Sequence, residues 1–160
     1  MSRAKAALGS AVFLVIAPGV VAGLVPWWLT GWNTEYAVWF PLRLAGAAVI
    51  VAGAAVLLHA FTSFVVEGVG TPAPVVPTER LVVGGLYRYV RNPMYLAVIA
   101  AIVGQALLLG RLGLLIYAAA LWLLFAAFVR WYEEPNLEHR YGDAYESYRN
   151  AVPAWLPKLR

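Results

Sequence analysis

Charged side chains divide this chain into long stretches that lack them and short segments that are rich in them. No Asp, Glu, Lys or Arg falls between Lys5 and Glu35, Arg43 and Glu67, Arg91 and Arg111, or Arg111 and Arg130. These gaps hold 29, 23, 19 and 18 residues. At ~1.5 Å of rise per helical residue, the shortest is ~27 Å long, close to the ~30 Å of hydrocarbon in a bilayer. The pattern predicts an all-α membrane protein with four transmembrane helices, near residues 8–29, 42–63, 93–110 and 112–129. Only Gly110, Arg111 and Leu112 join the last two, which makes them a tight helical hairpin.

Composition sharpens this picture. Of 160 residues, 62% are hydrophobic and 12% charged, so a soluble domain of this length could not hide its apolar surface in one modest core. We read residues 1–160 as a single integral membrane domain. The absence of cysteine excludes a disulfide framework, a thiolate metal site and a cysteine nucleophile. His59 and His139 are too far apart to make a metal-ligand pattern, and no metal is expected.

Ten of the twelve basic residues fall on one side of the predicted spans, leaving Arg43 and Arg111 on the other. The positive-inside rule then places both termini and the long middle loop in the cytoplasm. The first span follows Arg3 and Lys5 as a signal sequence would, but it is too long for an h-region and lacks a clean A-x-A site. It is expected to stay as a helix. Anchoring at anionic lipid accounts for the net charge of +4 without a nucleic-acid partner.

Polar and aromatic residues near the spans have ordinary readings. Trp27, Trp28, Trp32, Tyr36 and Trp39 form an interfacial belt at the outer end of the first hairpin. His59, with Thr62 and Ser63 after it, is either a functional group or an interhelical hydrogen-bond partner. Residues Gly68 to Ala73 fit G-x-G-x-x-A, yet a membrane span precedes them and Pro72, Pro74 and Pro77 follow. The nucleotide-binding reading is therefore rejected, and Thr71–Thr78 is expected to be stiff, extended connecting chain.

The cytoplasmic segments hold the unusual chemistry. Arg88 and Arg91, interleaved with Tyr87, Tyr89 and Tyr95, serve as interface anchors, or as fixed cations beside the helix N-terminus that Pro93 opens. After the fourth span, Arg130 precedes the acidic pair Glu133 and Glu134 and can bond Glu134 at i,i+4. Leu137, Tyr141, Tyr145 and Tyr148 then recur at helical spacing, predicting an amphipathic cytoplasmic helix whose aromatic face lies on the bilayer or on the bundle.

The run Gly85-Leu86-Tyr87-Arg88-Tyr89-Val90-Arg91-Asn92-Pro93-Met94-Tyr95 resembles the G-P-Y-x-x-x-R-H-P-x-Y signature of the isoprenylcysteine carboxyl methyltransferase and phospholipid methyltransferase superfamily. Glu133-Glu134-Pro135-Asn136-Leu137, then Tyr141-Gly142-Asp143-Ala144-Tyr145-Glu146-Ser147-Tyr148 and Val152-Pro153, resembles its E-E-x-x-L…F-G-x-x-Y-x-x-Y…V-P. The resemblance covers residues 70–157. It implies an S-adenosylmethionine site at the cytoplasmic face, open to a lipid-facing tunnel for a lipophilic acceptor. Arg80, Leu81, Val82, Tyr87, Asn92, Pro93, Met94 and Tyr95 would surround the cofactor. Glu133 would hold its amino group, Glu134 would support that pocket, and Arg130 would face the acceptor. Two positions depart from the signature: Asn92 replaces its histidine and Leu86 its proline.

Methyl transfer from a sulfonium needs donor and acceptor held in line, and a carboxylate for the cofactor's ammonium. Asn92 cannot shuttle a proton near neutral pH. A carboxylate acceptor needs no base, so carboxyl O-methylation of an isoprenylcysteine-like substrate is expected ahead of N-methylation of a phospholipid amine. Two other readings are a sterol-reductase-like oxidoreductase binding NADPH and a scaffold without activity. Glu133 and Glu134 weigh against a phosphorylated nucleotide.

Overall fold

The computed structural model describes residues 3–68 and 78–158, with the side chains of residues 3–6 and 68 left aside. The rejected G-x-G-x-x-A run and the proline-rich connector fall almost entirely outside the described residues. The described chain is helical throughout, with no strand. Helix α1 (Arg3–Gly19) continues through a π-helical turn at Val20–Leu24 into α2 (Val25–Thr30). After a loop, α3 (Phe40–Ser63) ends in a second π turn at Phe64–Gly68. A short 3₁₀ turn (Gly85–Arg88) leads to the hairpin α4 (Pro93–Leu109) and α5 (Leu112–Phe128). A third π turn, Val129–Glu133, carries α5 directly into α6 (Glu134–Tyr141), and α7 (Asp143–Ala151) follows.

Three continuous helical stretches are long and apolar enough to cross a membrane: Ala7–Thr30, Phe40–Glu67 and Leu112–Tyr141. Helix α4 is apolar but shorter, at 17 residues. It lies between α3 and α5 and buries Ala97, Val98, Ile102, Ala106 and Leu109. Leu114, Ala118 and Leu121 of α5 complete that core.

The contact between α3 and α4 is made by small residues. Gly46, Gly53 and Ala60 stand at seven-residue intervals on the buried face of α3, and Ala97 and Gly104 do so on α4. A Cβ at Gly46 would come within 2.6 Å of the Gly104 carbonyl oxygen, so the two backbones touch. In apolar surroundings, where hydrophobic burial gives helices no reason to associate, such close approach supplies van der Waals contact.

Two prolines account for two of the π turns. Pro26 has no N–H for the Ala22 carbonyl and Pro135 has none for that of Trp131, since each would bond four residues back. The register relaxes upstream instead, with the Val25 N–H bonded to the Val20 carbonyl and the Glu134 N–H to that of Val129. Carbonyls released in the first turn are taken up from the hairpin. Gln105 Nε2 donates to the Ala22 oxygen at 2.6 Å, and the Tyr117 hydroxyl donates to that of Val21 at 2.9 Å. Side chains thus resupply backbone groups that a bilayer would leave unmet.

The end remote from the 3₁₀ turn is tied by Arg111, whose Nε donates to the Asn33 carbonyl at 2.9 Å and whose Nη1 lies 3.4 Å from Glu35. The aromatic residues of the expected belt stay largely exposed there. At the opposite end, the single amphipathic helix expected over Leu137 to Tyr148 is broken in two. Gly142 sits at φ +52° and ψ −129°, a conformation that side chains disfavour, and turns α7 away from the line of α6.

Candidate functional site

The loop before α4 is seated on the end of α3. Glu67 Oε2 accepts from the Gly84 N–H at 3.0 Å, and Gly85, at φ +53°, leaves room only for the His59 ring. His59 packs there and does not line the cavity described below. The 3₁₀ turn that follows buries Tyr87, whose ring meets Phe64 edge-on at 5.6 Å. Asn92 precedes α4 but does not cap it through its side chain; its Nδ2 donates to the Ala154 carbonyl at 3.1 Å.

That bond belongs to a strap that the C-terminal segment lays over residues 87–92. The Arg91 N–H donates to the Pro153 carbonyl at 2.9 Å, and the Lys158 N–H donates to that of Tyr89 at 2.9 Å. The tyrosines of α6 and α7 face inward onto the bundle. Tyr141 donates to the Thr78 carbonyl at 2.8 Å, Tyr148 donates to the Tyr87 carbonyl at 2.7 Å, and Tyr145 accepts from Arg91 Nη1 at 3.0 Å. The Tyr95 ring packs at a tilt against Phe125 of α5 and Trp155 of the strap, with centroids at 4.7 and 6.4 Å.

At the N-terminal end of α4 lies a cavity of about 990 Å³. Its polar end holds two carboxylates in different states of compensation. Glu134 is buried and paired with Arg91, Oε1 to Nη1 at 2.7 Å. Glu133 accepts one hydrogen bond, from the Tyr95 hydroxyl at 2.8 Å, and has no cationic partner among the described residues. The Tyr87 hydroxyl is buried without any hydrogen-bond partner. Burial first, then the Glu133 carboxylate, push that phenol well above its ordinary range, so it remains a neutral donor. Away from these groups the wall turns apolar, with Phe13, Ala17 and Val21 from the first helical stretch and Leu57 from α3.

Of the residues expected at the site, Leu81, Val82, Tyr87, Asn92, Pro93, Met94, Tyr95, Glu133 and Glu134 all line this one cavity. Arg80 is exposed and does not. Arg130 also lies outside the wall: its side chain is 73% exposed and reaches Glu134 Oε2 only at 3.5 Å. Arg91 and the exposed Arg140 line the cavity instead, and Arg91, read from sequence as an anchor or as a cation at the helix N-terminus, is the largely buried one. Tyr145 and Tyr148 also line the cavity, and the strap bonds Arg91 and Asn92 of its wall through backbone carbonyls that no sequence pattern displays.

An all-helical apolar bundle, with a partly compensated acidic pair in a cavity at one end of its last hairpin, defines the class of the molecule. The profile of the phospholipid methyltransferase family matches residues 42–144, well over half of the chain. The chain belongs to this family, as the motif resemblance led us to expect. It is similar to the protein-S-isoprenylcysteine O-methyltransferase of Schizosaccharomyces pombe, with 37% identity over 80 residues. That stretch is 49% of this chain and 34% of the yeast protein, so the chain matches about a third of its relative's length. No solved structure matches the chain.

Proposed function

We propose that this protein is an S-adenosylmethionine-dependent membrane methyltransferase acting on a lipophilic acceptor at the cytoplasmic face, by carboxyl O-methylation of an isoprenylcysteine-like substrate. In this reading α4 crosses the bilayer as the fourth and shortest span, and both termini are cytoplasmic. The observation that carries it is the state of Glu133, a carboxylate without a cationic partner in a cavity whose wall passes from polar to apolar. The family match and the yeast relative support the same chemistry.

The residues present suit the cofactor. Glu133 offers acceptor capacity to an ammonium group, and the unpartnered Tyr87 hydroxyl offers a neutral donor. Leu81, Val82, Pro93 and Met94 supply apolar wall between them. S-adenosylmethionine, when bound, supplies an electrophilic methyl group. Arg91 pairs with Glu134 and fixes it, while Tyr95, packed against Phe125 and Trp155, orients Glu133. Asn92, its amide bonded to the Ala154 carbonyl, accepts no proton, and this favours an acceptor that arrives already ionised over an amine.

Isothermal titration of the detergent-solubilised protein with S-adenosylhomocysteine and with NADPH tests the cofactor. Labelled methyl transfer to prenylcysteine, fatty-acid and aminophospholipid acceptors then tests the substrate. Binding of S-adenosylhomocysteine alone, with label on the prenylcysteine carboxylate, is expected. Binding of NADPH alone would point to a reductase-like oxidoreductase, and label on the aminophospholipid would point to N-methylation.

A further inference from the structure

A second, smaller cavity of about 270 Å³ runs along the α3–α4 seam on the side covered by the first π turn. Its lining is almost wholly apolar: Ile50, Ala54 and Leu57 of α3 and Ala97, Ala101 and Leu108 of α4 form much of it. From Ala97 to Gln105 it follows α4 for ~12 Å at ~1.5 Å per residue. Its volume and length suit one hydrocarbon chain.

One polar group interrupts this wall. Gln105 is 5% exposed, and its Nε2 donates to both the Ala22 and the Ala101 carbonyls, at 2.6 and 3.2 Å. Those two bonds fix which end of the amide is the nitrogen. Oε1 is therefore a fixed acceptor, buried and without a partner. A buried acceptor left unmet is costly in an apolar setting, and it favours any ligand that brings an O–H or N–H donor. Gln105 stands one turn before the end of α4, near the membrane edge where Arg111 and Glu35 sit. A molecule with its donor at Gln105 would keep its head close to that edge and lay its chain inward towards Leu57.

We infer that this groove is a binding site for a single-chain lipid alcohol, its hydroxyl donating to Gln105 Oε1 and its alkyl chain lying between α3 and α4. The site is distinct from the larger cavity, which it meets only at the shared residues Leu57 and Val98. It does not depend on the methyltransferase reading.

The test uses native mass spectrometry of the full chain, released from detergent after incubation with 1-decanol or with decyl methyl ether. The two probes share a chain, but only the alcohol can donate. Decanol retained at least tenfold more than the ether is the expected result, with that preference abolished in Gln105→Leu. Ala54→Leu, which fills the groove and leaves Gln105 in place, should lose decanol as well and covers the case where Gln105→Leu fails to fold. Equal retention of alcohol and ether, as when water alone satisfies Gln105, overturns the inference. So does decanol retention that survives Ala54→Leu.

Discussion

Arg91 reaches from the residue before Asn92 to the start of α6 and places Nη1 2.7 Å from Glu134 Oε1, joining segments 43 residues apart in the chain. Arg130, on the same helical stretch as Glu134, is 3.5 Å from the other carboxylate oxygen and largely exposed. The near neighbour in sequence is the lesser partner. The pair formed across the site is the one screened from solvent, and removing one side of such a pair strands the other.

Arg91→Leu should therefore destabilise the folded protein by ~3–5 kcal/mol, the usual cost of a buried charge left uncompensated. Arg91→Leu combined with Glu134→Leu should recover a good part of that loss. Arg130→Lys should leave stability unchanged and alter turnover little. Unfolding in mixed micelles measures the first two, and labelled methyl transfer the third. A sharp fall in turnover for Arg130→Lys, with cofactor binding preserved, would return Arg130 to the acceptor.

Glu133→Gln keeps the shape of the side chain and the bond from Tyr95 while removing the charge. Loss of a desolvated charge partner costs ~2–5 kcal/mol, so S-adenosylhomocysteine affinity should fall by more than an order of magnitude. Titration calorimetry on the folded variant measures it, and unchanged affinity would refute the role of Glu133.

Tyr87→Phe removes a hydroxyl that makes no hydrogen bond in the protein. Stability should hold or rise slightly, since a buried unsatisfied group is lost. Cofactor affinity should drop several-fold if the hydroxyl serves the ligand. Thermal unfolding and titration on the same preparation read both, and affinity equal to wild type would leave Tyr87 as wall alone.

Gly46→Ala pushes a methyl against the Gly104 carbonyl, where backbone and not a pliant side chain must give way. Overpacking of this kind costs ~1–3 kcal/mol. Gly113→Ala, with open space around its Cβ position, is the matched control and should be neutral or mildly stabilising. Unfolding in mixed micelles compares the two.

Spacing of charge was enough to locate the hairpin: α4 and α5 end within a residue of the expected 93–110 and 112–129. Nine residues of the cavity wall, both carboxylates among them, were also legible, because motif residues on two segments converge at one end of that hairpin. Three features were not. The fourth span was expected to end near residue 129, yet the chain runs on as helix past Pro135 because the π turn absorbs the missing N–H. Gly142 reads as one weak position in an amphipathic run, yet its backbone conformation divides the run. Arg91 reads as an anchor because its partners, Glu134, Tyr145 and the Pro153 carbonyl, arrive from far along the chain. The small residues of the α3–α4 seam were in view, at seven-residue spacing, but a pattern of gaps in charge does not register them.

The strap has a bearing on the order in which the molecule comes into being. Residues 152–158 leave the ribosome after the described helices have been made, and they carry the Pro153 and Ala154 carbonyls that hold Arg91 and Asn92. Until they arrive, the Arg91 N–H and the Asn92 amide lack those partners while the helices already pack against one another. Assembly of the bundle is thus separated in time from the last bonds made to residues that line the cavity.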